Sequence, residues 1–170
     1  YLTALHETTF GLLNRLELNP LLESILLRTG ELLETPHVGI DLVLLDGTGL
    51  RQELGLGEFK KWNKETIQLG QGMVGKIWQT GETLLVEDYE AYEYKLAVSS
   101  RSGFVTVVGT PMKSGQTVIG TLVVAYREHN HAVTPEQVAV LERLAALAAL
   151  AIDNARLYQN AQTEIIERKI

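Results

Sequence analysis

The chain has no cysteine. That single absence removes disulfides, thiolate metal sites, cysteine nucleophiles and thioether-linked chromophores together. No apolar run approaches the ~20 residues of a membrane-spanning helix, and no signal peptide opens the sequence. A cytoplasmic location without membrane contact is therefore expected. Basic residues are in the minority, 15 Lys and Arg against 21 Asp and Glu. A net charge of -6 lacks the basic face that nucleic acid requires, so no nucleic-acid partner is expected. Metal-ligand spacings such as His-x-x-x-His are missing, as are a nucleophile with its base and an obvious carboxylate pair, so the chain is not expected to be an enzyme. Histidines are few. His129 and His131 flank a turn, and His6 and His37 stand alone.

What remains is an ordinary globular composition. With 170 residues and 45% hydrophobic content, the chain can bury the core of one domain. It starts at Tyr1 rather than at methionine, as expected of a segment of a longer protein.

The stretch Thr66–Asp88, TIQLGQGMVGKIWQTGETLLVED, organises the reading. Gly70 and Gly72 allow a sharp bend. Met73, Ile77 and Trp78 recur at helical spacing, and Thr80-Gly81 reads as a left-handed helix stop. Leu84–Val86 is a short strand ending at Glu87-Asp88. Gly70–Gly75 also satisfies the G-x-G-x-x-G pattern of dinucleotide sites, but those need a buried apolar strand immediately before the first glycine. Here the approach is Lys60-Lys61-Trp62-Asn63-Lys64-Glu65-Thr66. The glycines are expected to form a structural turn.

Taken in order, Tyr1–Leu18 carries leucines on one helical face. Asn19-Pro20 reads as a new helix start, and Thr35-Pro36 as its stop. His37–Leu45 is a strand with Val38, Ile40, Leu42 and Leu44 on one face. Asp46-Gly47-Thr48-Gly49 is a hairpin turn into Leu50–Leu56. Glu58–Glu65 is a polar surface connection. After a tyrosine-bearing loop, Tyr89–Gly103, come a β-branched strand at Phe104–Met112 and its hairpin partner at Thr117–Tyr126. Thr134-Pro135-Glu136-Gln137 is a capping box, and the helix it opens runs uninterrupted to the chain end. Leu141, Leu144, Ala148, Ala151, Ala155 and Tyr158 follow the 3–4 spacing of a coiled-coil seam, which points to a homodimer. Leu147 and Leu150 are left for the sheet.

As a set, these residues resemble the GAF family of sensory domains. The resemblance rests on Gly70–Gly75, Trp78-Gln79-Thr80-Gly81-Glu82, Leu84–Asp88, Val107–Met112 and Val118–Leu122, together with the alanine- and leucine-rich last helix through Asn154–Tyr158. It covers about Pro20 to Tyr158. It implies an α+β, PAS-related fold: an antiparallel sheet of five or six strands, the terminal helices on one face and a ligand-pocket loop on the other. Residues 1–18 would be a leading signalling helix, 19–157 the GAF domain, and 158–170 a signalling helix continuing from its last helix.

The resemblance implies a noncatalytic sensory or regulatory module, covalently linked to an output domain such as a histidine kinase or a cyclic-dinucleotide enzyme. It would bind a small molecule of unknown identity, pair as a homodimer, or both. A ligand-free dimerisation spacer is the alternative. The family's known ligands find little support here. Covalent bilin attachment and methionine-sulfoxide reduction use cysteines. The Asn-Lys…Phe-x-x-x-Asp-Glu signature of cyclic-GMP binders is replaced by Tyr126-Arg127-Glu128 with Gln137-Val138. The histidines do not suit haem. Trp78, Asp88, Tyr89, Tyr92, Tyr94, Arg101 and Phe104 are the candidate pocket residues, aromatic walls with one guanidinium and one carboxylate.

Overall fold

The computed structural model describes residues 2–62, 65–95 and 102–169. Helix α1 (Leu2–Leu33) leads into strand β1 (His37–Val43), which turns back as β2 (Leu50–Leu56). A short 3₁₀ turn, Gly57–Lys61, precedes helix α2 (Gly72–Thr80) and strand β3 (Leu84–Val86). The long hairpin of β4 (Thr106–Ser114) and β5 (Thr117–Tyr126) then gives way to helix α3 (Pro135–Lys169). The five strands form one antiparallel sheet in the order β2-β1-β5-β4-β3. This is the α+β architecture expected, with α1 and α3 packed together on one face.

Local chemistry fixes the ends of these elements. The capping box forms in both directions: the Gln137 amide donates to Thr134 Oγ1 at 3.1 Å, and the Thr134 amide to Gln137 Oε1 at 3.0 Å. Gly81 stops α2 in the left-handed conformation, its N–H bonding the Ile77 carbonyl at 2.8 Å. Gly70 and Gly72 hold φ of 79° and 65°, angles that L side chains avoid, and they fold the chain into α2. The segment before them meets the sheet through an isolated Leu50–Ile67 bridge rather than a strand, so the G-x-G-x-x-G run is a structural turn.

Strand alternation divides the core in two. Val38 and Ile40 of β1, Val108 and Met112 of β4, and Leu122 and Val124 of β5 face the terminal helices, where they bury Leu22, Leu26, Leu141, Ala148 and Ile152. Val107, Val123 and Ala125 face the other way, against Phe59, Met73, Ile77, Tyr89 and Phe104.

Two expectations are corrected. Asn19-Pro20 does not start a new helix, because α1 runs through Pro20 without interruption. A mid-helix proline costs ~3 kcal/mol, but Leu22, Ile25, Leu26 and Leu33 beyond it are buried in the core and hold the helix in register. The assignment of faces on α3 is reversed. Leu141, Ala148 and Ala155 are buried inside the chain, with Leu144 and Ala151 partly so, while Leu147 and Leu150 are 52% and 58% exposed. Alanine lets α1 and the sheet approach closely, so the alanine-rich stripe is the one that packs inward. Tyr158, the last residue of that stripe, is half-buried.

At Gly120 of β5 an added Cβ would fall on the Asp41 carbonyl and the Met112 methyl. Gly120→Ala should therefore lower unfolding free energy by about 1–3 kcal/mol. Urea melts test this, and an unchanged midpoint would contradict the packing described.

Candidate functional site

Among the described residues, no long helix covers the second face of the sheet. Its cover is assembled from the 3₁₀ turn, α2 and the segments around Tyr89 and Phe104. Gly39 and Gly55 sit opposite one another on β1 and β2. A side chain at Gly39 would meet the Phe59 ring at 3.2 Å, and one at Gly55 would meet the Phe59 backbone and Cβ at 2.8 Å. This glycine pair lets the turn carrying Phe59 lie directly on the sheet.

The β1–β2 register shifts between Ile40 and Asp41, so that β2 carries the extra residue Glu53 and Gln52 stands opposite Asp41. Such bulges re-aim side chains. Gln52 Nε2 donates to the Phe59 carbonyl at 2.8 Å and ties the cover to the strand. On the outer flank Arg127 reaches Glu58 at 2.8 Å, and Lys61 reaches the same carboxylate at 3.6 Å.

Beneath this cover lies a cavity of about 80 Å³. Phe59, Trp62, Phe104 and Tyr89 give it aromatic walls, with Met73, Val74, Val107 and Val123 completing the apolar lining. Ring centroids are 4.5 Å apart for Phe59–Trp62, 5.4 Å for Phe59–Phe104 and 6.1 Å for Trp62–Phe104. Asp41 and Gln52 supply the polar wall, and the exposed residues Glu65 and Gln71 mark the outer end.

Asp41 is 7% exposed and receives a hydrogen bond from the Thr121 hydroxyl at 3.0 Å. Burial pushes its carboxyl up to about 6, with the Thr121 hydroxyl opposing the rise.

The residues expected to line a pocket are placed unevenly. Tyr89 and Phe104, at the two ends of the loop, line the cavity. Tyr92 stacks on Tyr89 at 6.0 Å behind it, and Tyr94 meets Tyr92 edge-on at 5.6 Å, with the Lys76 ammonium 3.8 Å above its ring. These tyrosines run from the cavity wall to the surface. Asp88 is exposed at the start of the Tyr89–Ala91 turn. Trp78 lines a separate depression with Gly81, Lys113 and Val118. Arg101 lies outside the described residues. His37 accepts the Glu58 N–H at Nδ1, a structural bond at 3.0 Å.

Sequence reasoning missed Asp41, Gln52, Phe59 and Trp62. A signal for Asp41 was present, since it is the one charge in the otherwise apolar strand His37–Leu45. Phe59 and Trp62 were hidden in a segment that is otherwise polar.

The raised Asp41 carboxyl has a stability consequence. Between pH ~4 and ~6 the unfolded chain loses this proton before the folded one does. Stability therefore falls as pH rises through that window, by about 2–3 kcal/mol, and stays reduced above it. Asp41→Asn should remove this slope, so that from pH 4 to pH 8 the variant gains on the wild type by about 2 kcal/mol. Parallel denaturation profiles for the two proteins would show that the carboxylate is not buried as described.

A family model described as GAF domain matches residues 17–152. No curated protein matches the chain. Among solved structures, the fold is similar to that of a GAF domain/HD domain protein from Geobacter sulfurreducens, at 14% identity and a TM-score of 0.72, over 82% of this chain and 94% of that one. It is also similar to free methionine-R-sulfoxide reductase from Neisseria meningitidis in complex with its substrate, at 25% identity and a TM-score of 0.60, over 72% and 70% of the respective chains. A domain of a protein described as a two-component sensor histidine kinase from Sinorhizobium meliloti matches at 16% identity and a TM-score of 0.63, over 81% and 92%.

Proposed function

Because the chain belongs to the GAF domain family, we propose that it is a noncatalytic sensory module of a multidomain cytoplasmic signalling protein. It binds a small molecule beneath its sheet and pairs with a second copy through its long helices. The observation that carries the binding reading is the cavity with Asp41 in its wall, apolar surfaces around a few aimed polar groups. The Neisseria relative, captured in complex with its substrate, supports the fold as a holder of small molecules. That relative is a reductase; a thiol-based reduction is closed to this chain, which has no cysteine.

Coupling to an output domain follows from strand alternation. Val107 and Val123 line the cavity, while their neighbours Val108 and Val124 pack into the core beneath α1 and α3. A ligand that favours one strand position biases the helix packing on the opposite face, a population shift. Helix α3 is 35 residues long, on the order of 50 Å, enough to carry that bias to a linked histidine kinase or cyclic-dinucleotide enzyme. Among the described residues no helix is long and apolar enough to cross a membrane.

The surface for a second copy is the outward stripe of α3. Leu147, Leu150, Asn154, Leu157 and Ala161 are all exposed and alternate spacings of three and four, the seam of a two-stranded coiled coil. Leu157 is 66% exposed. Leu147→Glu with Leu150→Glu should yield a folded monomer by light scattering, with unchanged helicity. A persistent dimer would sink this seam. Native mass spectrometry of the purified protein tests the ligand: a small extra mass should be present and should vanish in Val123→Phe, which fills the cavity. A clean mass in both proteins would favour the ligand-free spacer.

A further inference from the structure

The cavity also carries information about the charge of its occupant. Among the described residues, the two carboxyl-bearing or basic side chains in its lining are both acids, Asp41 and Glu65. Among the described residues, Arg51 donates to the Thr66 hydroxyl at the cavity edge at 2.8 Å. Arg127 lies over the Phe104 ring at 5.7 Å and, like Lys61, is paired with Glu58.

The aromatic walls point the same way. Phe59, Trp62 and Phe104 form one contiguous cluster of rings, and all three line the cavity. Ring faces carry negative electrostatic potential, and groups of them recognise methylated ammonium ions.

Asp41 supplies the counter-charge. It is buried, its hydrogen bond comes from a neutral hydroxyl, and among the described residues no cationic side chain pairs with it. A buried carboxylate without a cation is costly, and a bound cation removes that cost. An anion such as a phosphate would instead meet two acids. The volume, about 80 Å³, is below the 150 Å³ that admits benzene in an engineered cavity. Only the head of a ligand fits that space, with any tail leaving past Glu65 and Gln71.

We propose that the cavity selects a small organic cation, a protonated or methylated ammonium, held between the Asp41 carboxylate and the faces of Phe59, Trp62 and Phe104. This rests on the reading of the cavity as a ligand site.

The test uses the Trp78→Phe protein, in which Trp62 is the remaining tryptophan, so that its fluorescence reports the cavity alone. Choline, its uncharged isostere 3,3-dimethyl-1-butanol, and acetate are titrated separately. Choline should bind at least tenfold more tightly than the isostere, with no response to acetate. Asp41→Asn should abolish that preference, and Phe104→Leu should weaken choline binding while circular dichroism stays native. Equal or tighter binding of the isostere or of acetate overturns the cation assignment and leaves the ligand site standing. If none of the three probes perturbs Trp62, the ligand-site reading falls along with the proposal.

Discussion

A sheet of five strands has two faces to cover, and this chain spends both of its long helices on one of them. That constraint shapes everything on the other side. Short segments must cover the second face, and short segments pack less completely than a helix lying flat. The Gly39–Gly55 pair brings the Phe59 turn down onto β1 and β2. Helix α2 covers β4 and β5 with Met73 and Ile77. Between these two covers a gap is left, and Asp41 lies in its wall. The cavity is thus a consequence of how the layers are distributed, and its polar wall comes from the strand residues Asp41 and Gln52.

The same alternation that makes two faces also joins them. Consecutive residues of β4 and β5 touch the cavity and the helix layer in turn. A sheet so placed has no route for displacing a strand on the cavity side without disturbing α1 and α3. The Tyr126 hydroxyl, which donates to the Leu33 carbonyl at 2.6 Å, and the Thr35 hydroxyl, which donates to the Ala125 carbonyl at 2.6 Å, tie the end of β5 to the end of α1. A displacement at one face therefore reaches the other without a hinge between them.

Much of this fold is legible in the sequence because its signals are local. The Thr134–Gln137 capping box, the Gly81 helix stop and the Asp46–Gly49 hairpin each declare themselves within a few residues. The continuity of α1 through Pro20 is not legible, because the local cost of proline is overridden by distant burial of Leu22, Leu26 and Leu33. Helix α3 carries two stripes at the same 3–4 spacing. Periodicity reveals that both exist, but only the fit of small alanines against α1 and the sheet decides which turns inward. The cavity is the least legible part. Phe59 looks like an outlier in a polar connection until Gly39, on the neighbouring strand and distant along the chain, joins Gly55 in supplying the space beneath it.

A ligand site requires the cavity to be a true void beneath the second face rather than space closed by its own side chains. A crystal of the protein pressurised with xenon tests this directly. A xenon atom should occupy the space between Trp62, Met73 and Phe104, with the surrounding side chains where the structure places them. A xenon-free map in which Trp62 or Met73 has collapsed into that space would contradict the account and leave a solid, ligand-free core.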